Sequence, residues 1–141
     1  MRDLELALKA AGDSTRTRIL KLLEGGGLCV CQVQAVLGLA PSTVSKHLAI
    51  LKTARLVDSR RDGKWIEYAL TAQGRNAYAK AVLAMLRGPL DRDPIVVADR
   101  KRLRKVKSVP LDELCSMTPT RFATPAVSSR HRRVRKERQH V

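Results

Sequence analysis

The stretch from Leu28 to Leu56 constrains the fold of this chain more than any other part. Its apolar pattern predicts a helix from about Cys29 to Leu37, and Gly38 then makes a tight turn. Pro41 opens a second helix, because a proline loses no hydrogen bond at the first helical position. The inward face of that second helix repeats at i, i+4 and i+7 and comprises Val44, Leu48 and Leu51.

The flanking segments extend this helix pair. The period becomes extended after Leu56, where Asp62-Gly63 separates two strand-like runs (57–61 and 64–70), which is a strong hairpin signal. Ile66, Tyr68 and Leu70 alternate towards the expected core. Helices are also expected from about Leu4 to Ala11, from Asp13 or Ser14 to Leu23, and over 71–86. This order predicts a mainly α (α+β) fold, a winged helix-turn-helix with a two-stranded wing.

A recognition helix of this kind fits the major groove of DNA, and its first turns meet the base edges. Basic side chains at the tip of a wing reach phosphates or the adjacent minor groove. A helix cap at Ser42 and an ordinary solvated surface for the others are the structural alternatives. The candidate DNA-binding residues are Ser42, Thr43, Ser45, Lys46, His47, Arg60, Arg61 and Lys64.

The overall charge agrees with a polyanionic partner. The chain of 141 residues has a net charge of +15, which favours nucleic acid over an anionic membrane surface. Aromatic residues make up only 3%, which favours duplex DNA over single strands, because single-strand binders stack bases on aromatic rings. The N-terminus lacks the apolar stretch of a signal peptide, and no apolar run is long enough for a membrane span. A cytoplasmic protein with no membrane partner is expected.

Gly88-Pro89 divides the chain into two predicted regions. Residues 1–88 form the DNA-binding and dimerisation domain. The apolar stripe on the helix over 71–86 favours a homodimer, although burial within one domain would give the same pattern. Residues 89–141 form a basic, proline-containing tail, which we expect to be largely disordered. Of the 28 Lys and Arg residues, 14 lie in this tail, which includes the basic run from Arg130 to Arg138.

Four segments resemble the ArsR/SmtB family of metal-sensing repressors over roughly residues 3 to 86. They are GDSTRTRILKLL, LCVCQV, LGLAPSTVSKHLAILKTARLV and RRDGKWIEYAL. The resemblance implies a homodimer, formed through the first and last helices of the domain, that leaves a palindromic double-stranded operator when a metal or metalloid binds. Arg55 departs from the family pattern, because a glycine is expected after the recognition helix, and it suggests a slightly different helix end.

Cys29 and Cys31 lie at the entry to the first helix of this pair. In a regular helix each residue turns about 100° around the axis, so the side chains of two residues that are two positions apart are separated by about 200°. Binding both thiolates to one centre would therefore distort the first turn of the helix that supports the recognition helix. The helix N-terminus and nearby basic charge are expected to lower the thiol pKa.

The LCVC segment resembles the arsenite-responsive members of the family, whose motif has a further cysteine where this chain has Gln34. Cys115 can supply a third sulfur, from the same subunit or the other one. Bound solvent, a small thiol or a site of only two sulfurs are the alternatives, in which Cys115 is a bystander. The predicted metal site is therefore Cys29, Cys31 and Cys115, with arsenite or antimonite as inducer and no organic cofactor. The zinc site that the family places on the last domain helix is absent, because residues 71–88 contain no His, Asp or Glu. Soft thiolate ligands also leave another soft metal ion open.

Other functions remain alternatives. A thiol redox-sensing repressor is one, and a disulfide between Cys31 and Cys115 is then more plausible than a strained one within Cys-x-Cys. A constitutive DNA-binding protein fits the basic tail but leaves the cysteines unexplained. An enzyme is not expected, because the chain lacks Cys-x-x-Cys and its histidines, His47, His131 and His140, are scattered.

Overall fold

The computed structural model describes residues 1–72 and 77–116. Its helices are α1 (Arg2–Ala11), α2 (Ser14–Leu23), α3 (Val30–Leu37), α4 (Pro41–Thr53), α5 (Ala77–Met85), α6 (Pro94–Lys107) and α7 (Leu111–Ser116), with a 3₁₀ turn at Pro89–Arg92. Its strands are β1 (Leu28–Cys29), β2 (Val57–Asp62) and β3 (Trp65–Leu70). The basic run from Arg130 to Arg138 lies outside the described residues. The described part of the chain has no helix that is long and apolar enough to cross a membrane.

The strands form one antiparallel sheet in the order β1-β3-β2. β2 and β3 pair from Val57 opposite Leu70 to Asp62 opposite Trp65, so they form the predicted wing around the turn at Asp62-Gly63. β1 adds a third strand that the sequence did not predict, and it places Cys29 opposite Glu67. The predicted winged helix-turn-helix is confirmed, with a three-stranded sheet at the base of its two-stranded wing.

Local signals determine where the helices begin and end. The carboxylate of Asp13 accepts a hydrogen bond from the backbone N–H of Arg16 at 3.0 Å, which caps α2. Gly38 ends α3 with φ +68°, a left-handed conformation that suits glycine. The N-cap residue of α4 is Ala40, so Ser42 does not cap that helix.

Arg55 occupies the left-handed position after α4, with φ +59°. The N–H of Leu56 donates to the carbonyl of Leu51 at 3.0 Å, and the N–H of Arg55 donates to that of Lys52 at 2.9 Å. These two bonds form a Schellman motif, which satisfies carbonyls at the end of the helix. The expectation of a different helix end is therefore wrong: the arginine adopts the conformation that glycine would favour.

The core lies between α1 to α4, the sheet, α5 and α6. Its largest fully buried side chains include Ile19, Leu20, Leu28, Val33, Leu48 and Leu51. The alternation predicted for β3 holds only in part, because Tyr68 and Leu70 pack against the core whereas Ile66 is exposed. The wing extends beyond the helices at that residue, so its inward-facing side chain has nothing to pack against.

Residues 89–116 differ from the predicted disordered tail. α6 packs on α2 and α3 through Val96, Leu103 and Val106, the last of which is fully buried. α7 packs on α3 through Leu114, which is 4% exposed. Burial of these apolar side chains supplies the free energy that orders the segment, although its many charges suggested disorder. The domain therefore extends to Ser116 among the described residues.

Two buried ionic clusters also attach α6 to the rest of the domain. Asp99 of α6 is 2% exposed and accepts hydrogen bonds from the guanidinium of Arg18 of α2 at 2.7 and 2.8 Å. The ammonium of Lys21, also 2% exposed, donates to Glu24 at 2.7 Å and to Asp91 at 2.8 Å. Arg100 of α6 donates to the same two carboxylates at 2.8 and 2.9 Å. Buried charges are tolerated only when they are paired in this way. α6 is therefore held by specific pairing as well as by apolar packing.

Candidate DNA interface and thiol site

The outward face at the start of α4 has the composition that a recognition helix requires. Ser42, Ser45 and Lys46 are exposed, and Thr43 is half-buried, while Val44 and Leu48 are fully buried and fix the helix on the core. Short polar side chains next to one cation allow close approach to base edges. The structure thus brings these four predicted residues to one surface.

His47 has a second role within the domain. Its Nδ1 lies 3.3 Å from the guanidinium Nη1 of Arg16, which comes from α2 and also donates to the carbonyls of Ala10 and Lys9. His47 is half-buried. It therefore connects the recognition helix to α2, and Arg16 is a residue of this surface that the sequence did not single out.

The predicted cations of the wing are all exposed. The guanidinium of Arg60 lies 3.6 Å from the Glu67 carboxylate on the neighbouring strand, and the Nε of Arg61 donates to the Gly63 carbonyl at 3.4 Å. Exposed pairs of this kind are weak, so water or phosphate oxygens can replace them. Both arginines remain available to a DNA backbone.

Lys64, at the wing tip, has a different set of partners. Its ammonium lies 4.9 Å from the centre of the Trp65 ring and 2.5 Å from the carboxylate of Asp112 in α7. The two charged side chains are 68% and 74% exposed, respectively. The C-terminal helix of the described chain therefore contacts the wing.

Cys29 is not part of the helix that was expected to begin with it. It ends β1 with an extended backbone, φ −81° and ψ 158°, and α3 begins at Val30. Its N–H donates to the side-chain oxygen of Gln32 at 3.0 Å, which satisfies one free group at the helix start. The angular argument for two cysteines in one helix therefore does not apply, because only Cys31 lies in α3.

The environment of Cys29 also differs from the expected one. The side chain is 7% exposed. Burial, together with the negative charges of Glu67 and Asp62, raises the pKa of the Cys29 thiol above its ordinary value. The expectation of a lowered thiol pKa is wrong for this residue, because β3 brings a carboxylate next to it that the sequence order does not reveal. The raised pKa favours the protonated form of the Cys29 thiol.

Cys31 lies in the first turn of α3 and is joined to Cys115 of α7 by a disulfide. The Cα atoms of the two residues are 5.4 Å apart, and 84 positions separate them in the sequence. α7 thus places the distant cysteine of the same chain directly on the first helix of the helix-turn-helix. A dithiol at this separation can be closed by oxidation or by one atom that binds both sulfurs.

The thiol site consists of Cys31 and Cys115, with Cys29 two residues away in the sequence. Within residues 1–72 and 77–116, no three His, Cys, Asp or Glu side chains are grouped closely enough to hold a metal ion. Of the three predicted sulfur ligands, the structure therefore brings two into contact, those of Cys31 and Cys115. The sequence analysis did not identify Asp112 as a residue of this site. The one indication was its spacing: Asp112 lies three residues before Cys115, so the two share nearly the same face of a helix.

The sequence of this chain is similar to those of known transcriptional regulators. Residues 13–59 match the family described as bacterial regulatory protein, arsR family. An uncharacterized HTH-type transcriptional regulator of Methanocaldococcus jannaschii is 49% identical over 61 residues, which cover 43% of this chain and 68% of that protein. The arsenic resistance transcriptional regulator ArsR1 of Pseudomonas putida is 36% identical over 87 residues, which cover 61% of this chain and 65% of that protein.

A solved structure supports the same assignment. Reduced HlyU from Vibrio cholerae is 29% identical, with a TM-score of 0.52, and the match covers 60% of this chain and 85% of HlyU. The present chain spans about two thirds of the length of the curated relatives named above. The matched segment contains the helix-turn-helix and ends in the first strand of the wing. The chain therefore belongs to the ArsR family of winged helix-turn-helix transcriptional repressors.

Proposed function

We propose that this chain binds a double-stranded operator as a homodimer and releases it when trivalent arsenic or antimony binds its cysteine thiols. The observation that carries the proposal is the link of Cys115 in α7 to Cys31 in α3, the helix that packs on the recognition helix. A ligand at these sulfurs acts directly on the helix-turn-helix. The relative named for arsenic resistance supports this choice of inducer.

The chemistry of the site fits this class of ligand. Thiolate sulfur is a soft donor and selects soft ions and metalloids. Arsenous acid exchanges two hydroxyl groups for the two sulfurs, and the two thiol protons leave with those hydroxyls as two water molecules. Cys29 would supply a third sulfur only after its buried thiol loses a proton, which its raised pKa opposes. We therefore assign the principal binding to Cys31 and Cys115 and a secondary role to Cys29.

The homodimer would use the first and last helices of the DNA-binding domain. α1 and α5 pack on each other within one chain. Leu8 of α1 and Met85 of α5 are large apolar side chains with 48% and 64% of their surface exposed. Large exposed apolar side chains on two helices that pack on each other are typical of a subunit interface. Two copies would then present two recognition helices to a palindromic operator.

A titration of operator binding tests the proposal. Duplexes selected from a random pool by the reduced protein would serve as operator, and fluorescence anisotropy would follow release as sodium arsenite is added with a phosphine reductant. We expect arsenite to release the wild type and Cys29→Ser, but not Cys31→Ser or Cys115→Ser. Release of all variants at the same arsenite concentration would contradict the assigned site.

A second candidate is a thiol redox-sensing repressor, and the disulfide between Cys31 and Cys115 specifically favours it. In this reaction, two thiols give two electrons and two protons to a peroxide, which is reduced to two molecules of water. Mass spectrometry after mild peroxide treatment would detect the loss of two hydrogens and identify the joined peptides. Peroxide without effect on operator binding, together with release by arsenite, would favour the first candidate.

A further inference from the structure

α7 connects the thiol site to the tip of the wing. Cys115 is bonded to Cys31, and Asp112, three residues earlier in the same short helix, pairs with Lys64. Residues three apart on a helix are neighbours on its surface. α7 therefore reaches from α3 to the wing. A change at the two sulfurs would change the position of Asp112 relative to Lys64.

The contact between Asp112 and Lys64 does not itself hold α7 in place. Both side chains are mostly exposed, and exposed pairs contribute little to holding two elements together. Leu114, which is buried, and the Cys31–Cys115 link are the anchors. A helix of six residues is marginal alone, so opening the link removes one of the two anchors that keep α7 docked.

The docked helix places negative charge where DNA phosphates would lie. Asp112 and Glu113 are both exposed. The carboxylate of Asp112 pairs with the ammonium of Lys64, which is predicted to bind phosphate. Phosphate neutralisation dominates the affinity of proteins for duplex DNA, and two added carboxylates oppose it. Docking of α7 should therefore weaken binding through the wing, independently of any distortion of α3.

We propose that α7 is an acidic clamp on the wing, and that closing the link between Cys31 and Cys115 lowers operator affinity by holding Asp112 beside Lys64, with the exposed carboxylate of Glu113 next to it in the chain. This inference rests on the redox response given above as the second candidate, and it names the element that transmits that response. In the open state, α7 leaves the wing and Lys64 binds phosphate. In the closed state, formed by peroxide as written above, the clamp is held in place.

The test compares operator affinity of the full chain in the reduced and peroxide-linked states by anisotropy at several salt concentrations. We expect the linked wild type to bind about tenfold more weakly. The double variant Asp112→Asn/Glu113→Gln should reduce this ratio to about threefold or less, mainly by tightening the linked form. Asp3→Asn/Glu5→Gln removes two exposed carboxylates from the first turn of α1. It is the matched control once sedimentation shows the same oligomeric state as the wild type, and it should keep the wild-type ratio.

Trp65 provides an independent readout of the clamp. It is the only tryptophan in the chain and lies next to Lys64. Its emission should shift between the reduced and linked wild type, and the shift should be absent in the double variant. An unchanged affinity ratio in the double variant would overturn the clamp while the thiol response stands. Equal affinity of both wild-type states would instead contradict the redox response itself.

Discussion

Cys31 and Cys115 stand 84 positions apart in the sequence, yet the Cα atom of Cys115 in α7 lies 5.4 Å from that of Cys31 in the first turn of α3. This pairing joins the N-terminal helix of the helix-turn-helix to the last described helix. It attaches the C-terminal segment to the helix-turn-helix, so that a reaction at the two sulfurs would reach both α3 and the wing.

The link should stabilise the folded domain. Closing a loop of this length restricts the unfolded chain and contributes about 4 kcal/mol to the free energy of unfolding. Denaturation at fixed protein concentration, with and without a phosphine reductant, would measure this difference. Cys115→Ser is the control and should unfold identically under both conditions. A wild type that is insensitive to the reductant would show that the link does not form in solution.

The wing arginines should act through phosphate neutralisation. Arg61→Ala is expected to reduce the slope of log affinity against log salt by about 1, because one counterion-releasing contact is lost. Lys80→Ala removes an exposed cation from α5 and should leave the slope unchanged. Lys46→Ala should weaken operator binding more than binding to random duplex, if this side chain reads bases. If Arg61→Ala had the same salt dependence as the wild type, the wing would not be part of the DNA interface.

The packing of α6 should contribute measurably to stability. Val106→Ala empties a fully buried position and should lower the free energy of unfolding by about 2 kcal/mol. Val97→Ala, on the same helix but 51% exposed, should change it by less than about 0.5 kcal/mol. Urea denaturation followed by circular dichroism measures both. Similar small effects would mean that α6 is not docked on α2 and α3 in solution.

Arg55 should be a site where glycine is stabilising. A non-glycine residue in the left-handed region carries about 1 kcal/mol of conformational energy, so Arg55→Gly should raise the free energy of unfolding by up to that amount. Ala49→Gly is the matched control within α4, and it should lower stability by about 1 kcal/mol. Thermal denaturation would show opposite shifts in Tm. A loss of stability in Arg55→Gly would indicate that the side chain makes contacts that outweigh the backbone strain.

The three thiols should differ in reactivity because of their surroundings. Burial and two carboxylates raise the pKa of Cys29, so at pH 8 less of it is thiolate, and iodoacetamide should modify it more slowly than Cys31 or Cys115 in the reduced protein. Glu67→Gln should lower that pKa and speed the reaction. Peptide mapping by mass spectrometry gives the rates, and in guanidinium the three should converge. Fastest reaction at Cys29 would refute the assignment.

The helix-turn-helix and wing were predictable because their signals are local. A periodic apolar face, Gly38 in the left-handed turn and Asp62-Gly63 between two strands each depend on neighbouring residues. The helix expected to begin at about Cys29 begins one residue later, because Cys29 lies in β1 and pairs with Glu67 of the distant strand β3. No local pattern contains that partner.

The C-terminal segment could not be predicted in the same way. Val96, Leu103 and Val106 form a narrow apolar face that dense positive charge conceals, and Asp99 is buried only because Arg18 of α2 neutralises it. Composition averages over the segment, whereas burial depends on which side of a helix each residue occupies.

The sequence by itself determined the class of this protein: a winged helix-turn-helix with cysteines at its entry and a strongly basic charge. Only the tertiary structure decided which sulfurs meet, how the thiol of Cys29 titrates and that α7 lies against Lys64. The physical reason is range. Helices and turns follow from backbone preferences over a few residues, whereas a sulfur pair, a pKa and a charge contact depend on distances that folding alone creates.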